Sequence, residues 1–178
     1  VYRFEDSGAL SGLLRVRGMC QNDAHIYCTE DQIQSEFLGV MEMLRSVYAL
    51  FGLKDYYLRF STWDPEDPKG REKFVNNPDA WERTQKLVHR AMVESGLPFV
   101  EGKGEAAFYG PKIEFSLKDS IGRVWQCGTI QVDFSMPERL GAEYVAEDNT
   151  RRIPVMLHRA IVGSMERFIG ILLENHAG

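Results

Sequence analysis

The chain has 178 residues, with 26 Asp and Glu against 21 Lys and Arg and a formal charge of −5. Hydrophobic residues at 44% and charged residues at 26% exclude intrinsic disorder, and no apolar run is long enough for a transmembrane helix. An acidic chain exerts no general pull on phosphate backbones, so any contact with nucleic acid must be local or made by parts outside this sequence. Three cysteines (Cys20, Cys28 and Cys127) build no disulfide framework, and a reduced, cytoplasmic setting is expected. Val1 is not an initiator methionine and no signal peptide is visible, so a piece of a longer protein is expected.

From residue 14 to 28 the sequence alternates with period two. Arg15, Arg17, Met19, Gln21, Asp23 and His25 fall on one side of a strand, and Leu14, Val16, Cys20, Ala24, Ile26 and Cys28 on the other. At ~3.3 Å per residue such a strand would separate Arg15 from His25 by roughly 30 Å. Thr29 with Gln32 forms a capping box, and Ile33, Phe37, Val40, Met41, Leu44, Val47, Tyr48 and Phe51 then follow helical spacing to a C-cap at Gly52. Residues 56–62 read as a strand, and residues 63–77, with Pro65, Pro68 and Gly70, as a polar, mobile loop. Asn77-Pro78 opens a second helix that runs to Ser95 before Gly96 and Pro98. Ile113, Phe115 and Leu117 alternate on a strand, a turn follows at 119–122, and a second strand over 123–134 completes a hairpin. Residues 153–158 read as a buried strand, and Ile161, Met165, Phe168, Ile169 and Leu172 mark a last helix with Gly163 just inside it. Hairpins with few βαβ units point to an α+β fold, an antiparallel sheet flanked by helices.

Four groups of residues carry possible chemistry. Arg3, Glu5, Arg15 and Arg17 suit either a bidentate clamp on a triphosphate or a set of strand salt bridges. Gln21, Asp23 and His25 suit metal binding or acid–base work, or a hydrogen-bonded structural histidine. The spacing Cys20-x4-His25-x2-Cys28 looks like a zinc cluster, but alternation puts both cysteines on the side opposite His25. His158 and Arg159 at a strand end, followed by Gly163 and by Glu166 beside Arg167, suit a ligand site or a paired surface helix. Tyr109 with Cys127, Thr129, Gln131 and Asp133 forms a polar row that suits a lined pocket, from which Gln126 points away unless a bulge near Gly128 shifts the register. His89 and His176 read as solvated surface residues.

Arg3-Phe4-Glu5, Ser7-Gly8-Ala9-Leu10 and Arg15-Val16-Arg17-Gly18 resemble motif 2 of class II aminoacyl-tRNA synthetases, and Gly163-Ser164-Met165-Glu166-Arg167 resembles motif 3. Gln21-Asn22-Asp23-Ala24-His25-Ile26, Ala107-Phe108-Tyr109-Gly110-Pro111-Lys112 and Pro154-Val155-Met156-Leu157-His158-Arg159-Ala160 resemble the threonyl-tRNA synthetase family in particular. The resemblance covers residues 3–178. It implies a class II catalytic fold over 1–178, truncated so as to lack the motif 1 region and the anticodon-binding domain. The implied function is activation of threonine by ATP, with magnesium, to threonyl-adenylate and transfer to threonine tRNA, in a protein that is a homodimer when entire. A non-catalytic synthetase-like module that binds nucleotide, amino acid or a partner protein is the alternative.

The resemblance also implies roles. Arg3 would hold the α-phosphate and the amino acid carboxylate, and Glu5 the adenine amino group. Arg15 and Arg167 would hold the γ-phosphate, and Arg3 and Arg167 carry the catalytic assignment. His25 and His158 would bind a zinc ion that selects threonine over valine, with a third family ligand, a cysteine, absent from this chain. Asp23 would accept the threonine hydroxyl, while Gln21, Tyr109, Lys112, Thr129 and Gln131 line the amino acid pocket. Met19 stands where the family has an adenine-stacking aromatic, and Asp6 where it has a proline.

Overall fold

The computed structural model describes residues 1–67 and 70–177; Pro68, within the loop expected to be mobile, and Gly178 lie outside the described residues. In chain order the elements are β1 (Gln21–Cys28), α1 (Ile33–Leu50), β2 (Tyr56–Thr62), α2 (Gly70–Lys73), α3 (Pro78–Ser95), β3 (Phe99–Lys103), β4 (Lys112–Lys118), β5 (Val124–Asp133), α4 (Met136–Arg139), β6 (Tyr144–Val145), β7 (Arg151–Arg152), β8 (Val155–Ser164) and α5 (Met165–His176). Six strands form one sheet in the order β1-β8-β5-β4-β2-β3, and β6 and β7 form a small ribbon. Every pairing in the large sheet is antiparallel except β2 with β3, which are joined through α3 as a βαβ unit at the edge. Among the described residues no helix is long and apolar enough to cross a membrane.

One face of the sheet is covered by helices and the other is open, the usual economy of an antiparallel sheet. Ile113, Phe115 and Leu117 of β4, Ile130 and Val132 of β5 and Leu157 of β8 are buried against Ile33, Phe37, Met41, Leu44 and Tyr48 of α1, Val88 and Met92 of α3 and Phe168 and Ile171 of α5. The intervening residues, Thr129, Gln131 and His158, are left half-buried on the open face. Helix ends follow their sequence signals. Thr29 and Gln32 close the capping box, through a short 3-10 turn that precedes α1. Leu53 N–H reaches Tyr48 O at 2.9 Å around Gly52, whose φ is 71°. Asn77 accepts from Ala80 N–H at 3.2 Å, and Gly96 ends α3 at φ 67°.

Several boundaries differ from the sequence expectations. The alternation from residue 14 does not make one strand: β1 starts at Gln21, and the preceding stretch is the second arm of an irregular hairpin. That arm is held to the first by Arg3 N–H to Arg17 O at 2.8 Å and Met19 N–H to Val1 O at 2.9 Å, so Arg15 and His25 share no strand. β8 starts at Val155 and runs to Ser164, which puts His158 in mid-strand and Gly163 at the strand's end, outside the helix. The described part of the segment after β2 contains α2 and, just beyond it, an aromatic cluster. Phe74 is buried with Trp81, Trp63 and Phe134, and Trp81 Nε1 donates to Val75 O at 2.8 Å.

Candidate active site

The first arginine group forms because the hairpin arms run side by side. Glu5 Oε2 accepts from Arg15 Nε at 2.9 Å, and Arg17 is held by Glu5 O at 3.0 Å and Ser7 Oγ at 3.1 Å. A salt bridge is therefore present, but it engages only one of the arginines that face the cleft beyond it. That cleft is lined by Arg3, Glu5, Arg15, Met19 and Arg167 at one end and by Gln21, Asp23, Tyr109, Thr129, Gln131 and His158 at the other. Of the residues to which the resemblance gives a role, Lys112 and His25 are not in its lining. Lys112 Nζ is committed to Glu114 Oε1 at 2.8 Å on its own strand, two residues away on the same side. His25 lies just beyond the lining, directly opposite His158 in the β1–β8 register.

Arg167 reaches the cleft from α5. Ser164 caps that helix by accepting Arg167 N–H at 3.2 Å. The guanidinium donates from Nε to Leu14 O at 2.8 Å and from Nη1 to Gln126 O at 2.7 Å, and it lies 5.2 Å from the Trp125 ring centroid. Burial, then Arg15 and Arg3, hold it below its ordinary pKa, opposed by Cys127 and Glu5. Three guanidiniums share this end with one carboxylate, so it carries surplus positive charge into which an anion fits. Glu166 does not pair with its neighbour Arg167. Both its oxygens accept Cys20 N–H, at 3.0 and 3.1 Å, and its own and the Cys20 amide hold the carboxyl below the usual range. With Met165 N–H to Cys20 O at 2.9 Å, this ties the start of α5 to the base of the hairpin arm.

At the other end Gln21, Asp23, Tyr109, Thr129 and Gln131 are neutral or acidic, with His158 and Arg159 beside them. In the amide orientation that satisfies both neighbours, Gln21 accepts from Arg3 Nη2 at 3.0 Å and donates to Asp23 Oδ2 at 3.2 Å, joining the two ends. Tyr109 hydroxyl donates to Gln131 Oε1, and burial, with Asp133 and Asp23 nearby, pushes its pKa up to about 12. The phenol is therefore a neutral donor at physiological pH. Gly110 is obligatory here, because a Cβ would lie 1.9 Å from Val132 O. A register shift in β5 turns Gln126 toward the cleft: Phe115 faces Gly128 but Ser116 faces Gln126, so Cys127 is the extra residue.

The two histidine rings meet edge to face with centroids 4.8 Å apart. His158 Nε2 lies 3.0 Å from Oδ2 of Asp133, a carboxylate with 1% of its side chain exposed. Burial alone would raise the Asp133 pKa, but His158 and the amides of Met136 and Ser135 hold it below the usual range. Two imidazoles, one oriented by a carboxylate, are the donor types zinc prefers. Among the described residues no group of three His, Cys, Asp or Glu is placed to hold a metal, so they fit two corners of a zinc site and not a third. The Cys20-His25-Cys28 spacing makes none, since Cys28 is buried away from His25 and its thiol is pushed up to about 11 by burial and by Glu36 and Asp31. Cys127, also buried, is pushed up to about 12 by burial despite Arg167, and at neutral pH it is a thiol.

Sequence reasoning missed the parts played by Asp133 and Glu166 as anchors. Asp133 shares the parity of Thr129 and Gln131, which was the available signal; nothing local marks Glu166, whose partner is 146 residues away. His89 is exposed, as read, with its ring beside Phe60 and Phe99, and it lies outside the cleft.

Residues 1–176 match the family described as tRNA synthetase class II core domain (G, H, P, S and T). The threonine–tRNA ligase of Thiobacillus denitrificans is 55% identical over 177 residues, 99% of this chain and 27% of that protein. A crystal structure described as the RNA binding domain of threonyl-tRNA synthetase from Cryptosporidium parvum Iowa II superposes with a TM-score of 0.89 at 38% identity, covering 100% of this chain and 43% of that one. One of a threonyl-tRNA synthetase from Aeropyrum pernix gives 0.82 at 34% identity, covering 99% and 40%. The chain thus spans about a quarter of the length of the curated relatives it matches. It belongs to the class II tRNA synthetase core-domain family, within which the relatives named here are threonyl-tRNA synthetases.

Proposed function

We propose that this cleft activates threonine with ATP. The observation that carries the reading is its polarity: three guanidiniums converge at one end, and a row of hydrogen-bonding side chains lines the other. Laid along it, the triphosphate meets Arg15 and Arg167, and the adenine lies between Glu5 and Met19. Arg3 sits at the junction, where the amino acid carboxylate and the α-phosphate meet. A carboxylate oxygen forms a bond to the α-phosphorus, the bond to the bridging oxygen breaks, and pyrophosphate leaves with that electron pair. No proton need be removed from the nucleophile, so the work of the protein is alignment and charge stabilisation.

Gln21, Asp23, Tyr109, Thr129 and Gln131 receive the amino acid, with Asp23 accepting its hydroxyl; Lys112 acts on this pocket only through its neighbours. His25 and His158 would hold the zinc ion. When bound, it supplies a Lewis acid able to take the amino and hydroxyl groups of threonine as ligands, which valine cannot match. Such a site discriminates by about 10⁴ against an analogue that lacks the hydroxyl. Serine lacks only a methyl group, worth ~1–3 kcal/mol, so rejecting it falls to a separate editing activity. Magnesium accompanies ATP. Transfer to threonine tRNA, and the homodimer, belong in this reading to the full-length protein.

The test is threonine-dependent ATP–pyrophosphate exchange on this chain, with bound zinc counted in the same sample. Exchange with threonine and not valine supports the assignment. The two-imidazole donor set favours a second reading, a module that binds nucleotide or amino acid without turnover. ATP binding without exchange, in this chain and in a full-length relative carrying the same residues, would establish that reading instead.

A further inference from the structure

Two adjacent interior strands, β5 and β8, carry bulges side by side. On β5, Cys127 is the extra residue. On β8, Ser164 faces Gln21 but Ala160 faces Asp23, so Ile161, Val162 and Gly163 stand opposite Asn22 alone. Bulged backbone lacks its ladder partners and must find others when buried. Two side chains from separate elements supply them at Ile161. Asn22 Oδ1 accepts Ile161 N–H at 3.1 Å, and the hydroxyl of Tyr48, 0% exposed on α1, donates to Ile161 O at 3.2 Å.

The bulges are interlocked. A Cβ on Gly163 would lie 2.2 Å from Cys127 O, and one on Gly128 would lie 2.9 Å from Ile161 O. Two of the bonds that place Arg167 issue from this knot, while its Nε bond to Leu14 O belongs to the same planar guanidinium and reports any shift of it. Ser164, next after Gly163, caps its helix, and Gln126 O, just before Cys127, receives its Nη1. Neither Asn22 nor Tyr48 lines the cleft.

We propose that Asn22 and Tyr48 are positioning residues: by holding the Ile161 bulge from both sides, they set Arg167 in line with Arg3 and Arg15. The proposal rests on the reading that this end of the cleft takes the triphosphate of ATP. Tyr48→Phe deletes one oxygen and Asn22→Leu keeps the number and branching of the heavy atoms; each removes one hydrogen bond at a residue outside the cleft, so the effect passes through geometry and not through the substrate.

The experiment uses the full 178-residue chain and the variants Tyr48→Phe, Asn22→Leu and Asn22→Asp. Binding of a non-hydrolysable ATP analogue, inorganic tripolyphosphate and AMP is measured by calorimetry, and water exchange of the Arg167 Nε–H by NMR. Tyr48→Phe and Asn22→Leu are expected to weaken ATP analogue and tripolyphosphate by about tenfold, with AMP within about twofold, as for a charge displaced by a fraction of an ångström. Their Arg167 Nε–H exchanges faster. Asn22→Asp keeps the acceptor oxygen and restores both readouts. Equal losses for ATP analogue and AMP, or an Arg167 Nε–H unchanged in Tyr48→Phe and Asn22→Leu, would overturn the proposal. Tyr48→Phe, which deletes a single atom, carries the test should Asn22→Leu not fold. A wild-type chain that binds neither ATP analogue nor tripolyphosphate would refute the proposed function instead, while the Arg167 Nε–H exchange still decides whether Asn22 and Tyr48 hold the arginine.

Discussion

Gly163→Ala separates two costs that the structure makes distinct. Gly163 sits at φ 71°, a conformation that costs an L-residue about 1 kcal/mol relative to glycine. Its new Cβ would also lie 2.2 Å from Cys127 O and 3.0 Å from Cys127 C. Relief requires about 1 Å of separation to reach ordinary contact. β5 cannot retreat freely, since a Cβ built on Gly128 already falls 2.6 Å from Leu44 Cδ1, a measure of how closely α1 presses on that strand. Overpacking of this kind adds about 1–3 kcal/mol, for a total of about 2–4 kcal/mol. Gly12→Ala is the control. Its φ is 50°, but nothing lies within 4 Å of the added carbon, so only the conformational cost of about 1 kcal/mol applies. Urea unfolding at a common m-value reads both. Midpoints showing the two variants equally destabilised would refute the argument that the β5 and β8 bulges are in rigid contact.

Arg167→Ala removes the guanidinium from Leu14 O and Gln126 O and one cation from the anion end; ATP is expected to weaken about 10–100-fold and AMP by less than about threefold. Titrations giving equal losses for the two nucleotides would count against a γ-phosphate contact. His25→Ala or His158→Ala, made in a full-length relative with the same residues, should abolish bound zinc by elemental analysis; unchanged stoichiometry would sink the ligand assignment. Acid stability provides a fourth check. Asp119 has no exposed side-chain surface; burial opposes its ionisation, but hydrogen bonds from Trp125 Nε1 at 2.9 Å and Arg123 Nε at 2.5 Å hold its pKa below the usual value. A depressed carboxylate contributes stability that is fully present above its unfolded pKa of about 3.9 and is lost as pH falls through the folded value. Asp119→Asn should therefore lower stability at pH 7 and flatten its decline below about pH 4. Urea midpoints that fall in parallel for wild type and variant would contradict this.

Local chemistry was enough to place α1, α3 and the β4–β5 hairpin, because their signals are carried by neighbours in sequence. Thr29 and Gln32 bond each other, Asn77 caps its own helix, and Asp119 organises a turn four residues long. The same held for the composition of the cleft, since Arg3, Glu5, Arg15, Gln21, Asp23, Tyr109, His158 and Arg167 stand within recognisable blocks, Thr129 and Gln131 share one strand parity, and all reach its lining. Where period-two reasoning failed, it failed at irregular backbone. Alternating exposure survives over residues 14–17 without a ladder and reverses at 18–20, because the arm pairs only in patches with residues 1–3. The β5 bulge inserts one residue, and a shift by one residue reverses every later side chain, so Gln126 reaches the cleft against its count; the β8 bulge inserts two and keeps parity. A bulge depends on what the partner strand offers opposite it: the step from Phe115 to Ser116 for β5, and Asn22, 139 residues from Ile161, for β8. Likewise, Asp133 behind His158, Glu166 on Cys20 and Asn22 with Tyr48 on Ile161 are pairings between distant segments. The sequence by itself determined which elements form and which side chains carry charge. Only the tertiary structure decided which of those charges meet, because the energy that selects them arises from desolvation and contact once the strands have paired.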